Sequence, residues 1–346
     1  MAEVIGTEDG DPGWSYYDVH GLLRIRANTR ISAIPPYFRV DSVEPNFEVR
    51  RVDRLPIPDA RDLRRIVGHT AYELGGGELQ YETDVPILFL LGSRARWKFR
   101  LQGLADDVTR LWTEVPFFDF QPVRYKVAQL LSKLTLLLMT IKLVGQGHAM
   151  CHATSVAKDG RATMLFGFSG TGKSTLASRL MDQGYELLAD DYAIVDPRGE
   201  VLCYPDWHKP RSEQARIPLS KYVGIHRSFV PGPLRVAQRA RAGPVLVMER
   251  GPDHIEELDR GEALRRILLL NFEEISKLWN SPISVVLNHY AYFYPDLDLQ
   301  DLMGRYRAIV TSFLDRAGPF VSVRSSSPRF RILEGGSLDR ITGGGP

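Results

Sequence analysis

Cysteine is nearly absent from this chain of 346 residues: Cys151 and Cys203 are the only two. That count excludes a disulfide framework and a cysteine-rich zinc module. An excess of one charge is also lacking. Lysine and arginine total 44 against 42 for aspartate and glutamate, a formal charge of +2. The chain as a whole therefore has no electrostatic pull toward nucleic acid or an anionic membrane. Lysine is scarce beside arginine, which reads mainly as genome composition. Residues Met1 to Trp14 are acidic and glycine-rich, without the basic and apolar regions of a secretory signal. The most apolar run, Leu130 to Val144, is interrupted by Lys133, Thr135, Thr140 and Lys142, which predicts that it is too short and too polar to span a bilayer. No internal repeat, aromatic-interleaved RNA signature or helix-turn-helix pattern is found. The expected location is the cytoplasm, with no membrane partner; a nucleic-acid partner is disfavoured and left open only through the basic stretch between Pro205 and Arg241.

What is present fits a globular protein: 44% hydrophobic, 25% charged and 10% aromatic residues. The length suggests about two domains. Residues 1–122 read as an N-terminal accessory α/β domain, rich in strands at Asp18 to Arg26, Asn46 to Arg54 and Val85 to Leu91. Pro35-Pro36, Pro56 to Pro58 and Gly75-Gly76-Gly77 mark turns. A helix is predicted over Ala105 to Glu114. Residues 123–334 read as a second domain, opened by a helix from Val123 to Gly145 whose apolar residues recur at helical spacing. Residues 335–346 are expected to be a flexible tail.

The informative stretch runs from Met150 to Asp196. Met164-Leu165-Phe166 predicts a strand, Gly167 to Ser174 a loop, Thr175 to Gly184 a helix and Glu186 to Val195 a second strand holding both Asp190 and Asp191. Strand, glycine loop, helix, strand is the order of an α/β nucleotide-binding core. Gly167-Phe168-Ser169-Gly170-Thr171-Gly172-Lys173-Ser174 matches the phosphate-loop pattern G-x-x-x-x-G-K-[ST] in full. Its glycines permit positive φ and close approach to phosphate oxygens. Successive backbone N–H groups form an anion nest at the positive end of the following helix. Lys173 supplies a full charge for the β- and γ-phosphates, and the Ser174 hydroxyl suits Mg²⁺. Gly167, Ser169, Gly170, Thr171, Gly172, Lys173, Ser174 and Thr175 are thus the candidate nucleotide-binding residues.

Asp190 follows Lys173 by only 17 positions. One short helix fits in that gap, which predicts the acidic pair at the end of the strand beside the loop. Two carboxylates there can diverge, one toward Mg²⁺ and one toward the proton of an attacking hydroxyl. Between Pro205 and Arg241 eight basic residues face two acidic ones, a local excess. Arg216 is the preferred candidate from it for holding phosphate or an acidic acceptor. Tyr290, Tyr292, Phe293 and Tyr294 cluster and are expected to serve a core or an interface.

His152, the 167–174 loop and Leu187-Leu188-Ala189-Asp190-Asp191 together resemble the HPr kinase/phosphorylase family, whose core is related to phosphoenolpyruvate carboxykinase. The resemblance covers about residues 145–196. It implies a P-loop nucleotide-binding core of that type behind the accessory domain. It further implies that Lys173 binds the β/γ-phosphates, Ser174 binds Mg²⁺, Asp190 is the general base on an acceptor hydroxyl, Asp191 assists Mg²⁺, and His152 lies near the transferred phosphoryl group. Thr175 stands where bacterial HPr kinases have Glu, and no Glu-x-Arg-Gly-x-Gly segment follows. The implied acceptor is therefore a hydroxyl on free serine, a peptide, a protein or another small compound rather than the HPr carrier. The implied cofactors are ATP, with GTP left open, and Mg²⁺; a homo-oligomer is also left open. A second reading from another class is a nucleotide-binding regulatory or assembly module without transfer. A decarboxylating carboxykinase would need further Mn²⁺ ligands, which the sequence does not supply.

Overall fold

The computed structural model describes residues 13–56, 63–66, 70–86, 94–114, 121–205, 235–279, 284–327 and 330–333. The chain is a mixed α/β protein with two large mixed sheets and a few helices. It divides into two compact units. The first comprises residues 1–142, 222–224 and 282–298, and the second 143–221, 225–281 and 299–346.

In the first unit the described strands are β1 (Ser15–Val19), β2 (Leu23–Ala27), β3 (Arg39–Val40), β4 (Phe47–Val52), β5 (Arg65–Ile66), β6 (Thr70–Gly75), β7 (Glu78–Pro86), β8 (Arg94–Gln102) and β9 (Thr109–Glu114). They form one sheet in the order β3-β1-β2-β4-β9-β8-β7-β6-β5. Strand β8 shows why: Trp97, Phe99 and Leu101 alternate with Arg96, Lys98 and Arg100, so one face is fully buried and the other charged. The helix predicted over Ala105 to Glu114 is not formed. Gly103 turns with φ +68, and β9 pairs antiparallel with β8 from Gln102↔Arg110 to Lys98↔Glu114. Buried Leu111 and Thr113 alternate with the outer Arg110 and Trp112, so pairing with a distant strand overrides the local helical pattern.

Helix α1 (Gln121–Gly145) is tied to loops of this unit at two points. The Ser132 hydroxyl accepts from Ser32 N–H at 3.1 Å and lies 2.7 Å from the Ser32 hydroxyl. The Lys142 ammonium donates to the carbonyls of Asp106 and Asp107 at 2.9 and 2.7 Å. By length and composition Val127–Gly145 could cross a bilayer, in contrast to the expectation from its interrupting polar residues, yet 67% of it is buried inside the fold. The three glycines Gly75 to Gly77 all take positive φ at the β6–β7 turn. The helix Ser284–Phe293 holds that turn. The Tyr290 hydroxyl donates to Gly77 O at 2.7 Å and accepts from Leu104 N–H at 3.1 Å, and the Tyr294 hydroxyl donates to Glu78 O at 2.7 Å. Tyr290→Phe removes both of its bonds inside a buried site, and should destabilise the protein by about 1–3 kcal/mol in urea unfolding. Tyr292→Ser, at a position 71% exposed, should stay within about 0.5 kcal/mol of wild type.

The second unit carries β10 (Ala149–Cys151), β11 (Thr154–Lys158), β12 (Arg161–Phe166), β13 (Glu186–Ala189), β14 (Ala193–Val195), β15 (Glu200–Leu202), β16 (Arg239–Arg250), β17 (His254–Glu257) and β18 (Phe320–Ser325). The main path runs β10-β14-β15-β16-β12-β11-β13, with β18 parallel to β16 and β17 at its far side. Strands β12, β16 and β18 are mutually parallel, so their carboxyl ends open on one edge. Helix α2 (Lys173–Asp182) packs Leu176, Ala177 and Leu180 on one face with Leu165, Leu246, Val321 and Val323. Ser322, between those two valines, points the other way and accepts a bond from Arg266 of the helix Arg260–Trp279 at 3.2 Å. The sheet is thus covered by α2 on one side and by that helix on the other, an arrangement that buries both faces of its parallel strands.

Candidate functional site

The site grows from the carboxyl end of β12. Gly167, the next residue, has room for no side chain: a Cβ there would lie 2.6 Å from Met248 O and 2.9 Å from Thr171 Oγ1. Gly167→Ala should therefore force the loop off β16 and destabilise the protein by roughly 1–3 kcal/mol. The chain then turns at Phe168 to Thr171. Gly170 has φ +85, and the Thr171 N–H donates to Phe168 O at 3.2 Å, the pattern of a type II turn. The Thr171 hydroxyl donates to the same carbonyl at 2.8 Å. Gly172, with φ +111, caps α2; no side chain supplies a cap bond, and no acidic residue occupies the first turn. The first-turn N–H groups lie at the positive end of the helix.

Lys173 opens α2 and is buried, 6% exposed. Its ammonium donates to Gly167 O at 2.6 Å and Phe168 O at 3.4 Å, and lies 3.3 Å from His152 Nε2. His152 follows β10 and is buried as well. Its own N–H donates to Asn271 Oδ1 at 2.7 Å, and the Tyr192 ring meets its imidazole edge-on with centroids 5.7 Å apart. Asn271 is fixed in turn by donating to Ile267 O at 2.8 Å.

Asp190 is 3% exposed at the end of β13. Its Oδ1 accepts from Ser174 Oγ at 2.9 Å and from Thr154 Oγ1 at 3.0 Å. Asp191 is exposed and has φ +64. The Tyr192 N–H donates across it to Asp190 O at 2.8 Å. A bond spanning three residues about a positive-φ centre is the γ-turn pattern, a conformation that costs a non-glycine residue energy and recurs at functional sites.

One expectation is corrected: Glu186 to Val195 is not one strand, since the γ-turn separates β13 from β14 and the Asp pair sits in the turn. The antiparallel β11 lies between β12 and β13, and Asp190 reaches the loop through its bond to Ser174. Hydrogen bonds at the site form two sets, Asn271–His152–Lys173 and Thr154–Asp190–Ser174, joined where Lys173 and Ser174 are neighbours in the chain. Ser169 and Gly170 are exposed on the loop and Thr175 is half-buried on α2. Arg216 lies outside the described residues, with most of the basic stretch around it. Thr154 and Asn271 belong to these sets and were not singled out from sequence. Asn271 carried a signal, a polar residue beside Ile267, Leu268 and Leu270 in an apolar helical pattern; Thr154 carried none.

Chemically, the Ser174 hydroxyl and the Asp190 carboxylate form a hard-oxygen pair of the kind Mg²⁺ accepts together with phosphate oxygens and water. Among the described residues no group of three or more His, Cys, Asp or Glu could hold a metal alone. Cys151, beside His152, takes no part. Burial pushes its thiol up to about 12, and its Sγ lies 3.9 Å from the Tyr306 hydroxyl. The thiolate fraction is negligible until the pH approaches that value, so Cys151 in the folded protein should resist iodoacetamide at pH 8 and react only after unfolding.

No family model and no curated protein matches the chain. Among solved structures, the HPr(Ser) kinase/phosphatase from Coxiella burnetii is similar at 16% identity, over 32% of this chain and 77% of that one, with a TM-score of 0.18. A score that low does not establish a common fold.

Proposed function

We propose that the chain is an ATP- and Mg²⁺-dependent phosphotransferase that moves the γ-phosphoryl group to a hydroxyl acceptor. The observation that carries this reading is the hydrogen bond between Ser174 and buried Asp190 at the start of a helix whose first residue, Lys173, lies beside His152. A module that only binds nucleotide needs one carboxylate for Mg²⁺; the second, Asp191, is the group that the transfer reading uses.

In the proposed reaction the triphosphate lies along the Gly167–Ser174 loop, with its oxygens on the first-turn N–H groups of α2. Lys173 leaves its two carbonyl partners for the β- and γ-phosphates. A carboxylate takes the proton of the acceptor hydroxyl as the new O–P bond forms; the bond to the β-phosphate breaks and ADP leaves. Bound Mg²⁺ would neutralise charge on the phosphate oxygens. His152, 3.3 Å from the Lys173 ammonium, would approach the transferred group with its imidazole.

The resemblance assigns the base to Asp190 and the metal to Asp191. The Ser174 bond supports the reverse division equally, with buried Asp190 on the metal side and exposed Asp191 toward the acceptor. Asp191→Asn separates the two. Loss of transfer at unchanged Mg²⁺ requirement makes Asp191 the base; a raised Mg²⁺ requirement makes it the metal-side group.

The reading is tested by incubating the protein with γ-labelled ATP, Mg²⁺ and a panel of free amino acids, peptides and cell extract. Label should move to a hydroxyl compound, and only with Mg²⁺ present. Nucleotide binding without label transfer to any member would favour the non-catalytic module instead.

A further inference from the structure

The first unit carries a sheet face that phosphotransfer leaves unused. Strand register sets Tyr16, Arg26, Glu48, Arg110 and Gln102 in one row across β1, β2, β4, β9 and β8. Two residues further along, Arg50, Trp112, Arg100 and Gln80 form the next row. Side chains paired in register share a face. The alternate positions, among them Ile25, Phe47, Leu101 and Leu111, are fully buried, so the core lies on the other side.

The charges on this face are not evenly matched. Glu48 is 7% exposed and accepts from Arg26 Nε at 3.0 Å and Nη2 at 2.6 Å. Arg100 pairs with Glu78 at 2.9 Å and donates to Gln80 Oε1 at 2.8 Å. Arg50 and Arg110 are exposed on the adjacent strands β4 and β9, and neither has a carboxylate partner among the described residues. The Trp14 ring lies 4.8 Å from the Arg26 guanidinium and 6.0 Å from that of Arg50. Trp112, half-buried, stands between Arg50 and Arg100 in its row. The result is a cationic strip flanked by indole surface, with its nearest carboxylate already sequestered.

We propose that this face docks an acidic polypeptide segment. Arg50 and Arg110 would take its carboxylates through their planar forks, and its chain would lie over Trp14 and Trp112. Single-stranded nucleic acid fits less well, although aromatic and basic sheet faces can bind it. A strand presents a phosphate at every nucleotide, and with Arg26 and Arg100 already held by Glu48 and Glu78 the strip keeps two guanidiniums for them among the described residues, Arg50 and Arg110. The proposal concerns the first unit alone and stands whether or not the phosphotransfer reading does.

The test uses the full chain without nucleotide and a fluorescein-labelled peptide of alternating glutamate and glycine, followed by anisotropy. Saturable binding is expected, weaker at higher salt. The double variant Arg50→Glu with Arg110→Glu should weaken it about tenfold or more, and Lys173→Ala should leave it unchanged. Far-UV circular dichroism checks the double variant, with Arg50→Gln and Arg110→Gln in its place should it not fold. The proposal is overturned by absent saturation with wild type or by equal affinity in the folded double variant. Tighter binding of a labelled oligouridylate would also overturn it, as would sedimentation showing a dimer that the double variant dissociates.

Discussion

Lys173→Ala should abolish detectable nucleotide turnover, with ATP affinity reduced roughly 100-fold or more, since charge-assisted bonds to phosphate are among the strong ones. The lysine is buried, and its ammonium is held by the Gly167 and Phe168 carbonyls at the mouth of the loop. In this account the ammonium turns from those carbonyls to the triphosphate tail, where its charge meets the phosphate oxygens. Removing the amine leaves the two carbonyls short of a donor, so a stability loss of about 1–3 kcal/mol should accompany the loss of binding. Equilibrium dialysis with labelled ATP, at a temperature where the variant is folded by circular dichroism, separates the two effects. Unchanged affinity would remove Lys173 from the site.

The second large effect is expected of Asp190→Asn. The substitution retains Oδ1, so the Ser174 and Thr154 hydroxyls keep an acceptor and the turn at Asp191 is undisturbed. What is lost is the negative charge. General-base removal typically costs about 10²–10⁴ in rate, and loss of a metal-side carboxylate also suppresses transfer. Phosphoryl transfer to the acceptor should therefore fall by roughly that range, while metal-free nucleotide binding persists. Transfer at the wild-type rate would show that the buried carboxylate is structural, a cap on Ser174 and Thr154.

The loop and its helix were legible because each position has a local physical duty. Gly170 and Gly172 do take positive φ, although the helix spans Lys173–Asp182 and so begins two residues before the expected Thr175. The turn glycines Gly75 to Gly77 and the apolar period of α1 were legible for the same reason. The failures came where distant partners decide. Ala105 to Glu114 reads as helix in isolation, yet β9 exists because β4 and β8 flank it. The run Glu186 to Val195 is apolar at both ends, and nothing local announces that Asp191 breaks it with φ +64. Strand β11 slips between β12 and β13 through an antiparallel turn at Asp159-Gly160, and its Thr154, a residue with no motif of its own, bonds Asp190.

The central claim is that the 167–174 loop cradles a triphosphate with the Asp190 carboxylate facing its outer end. Thermal unfolding of wild type and Lys173→Ala across a Mg²⁺·ATP titration tests it most directly, since a ligand that binds only the folded state adds about 2.7 kcal/mol at 100 times its dissociation constant. The account predicts a saturable rise in Tm for wild type, dependent on Mg²⁺, and none for the variant. A wild-type Tm indifferent to millimolar Mg²⁺·ATP, or a rise of equal size in both proteins, would contradict it.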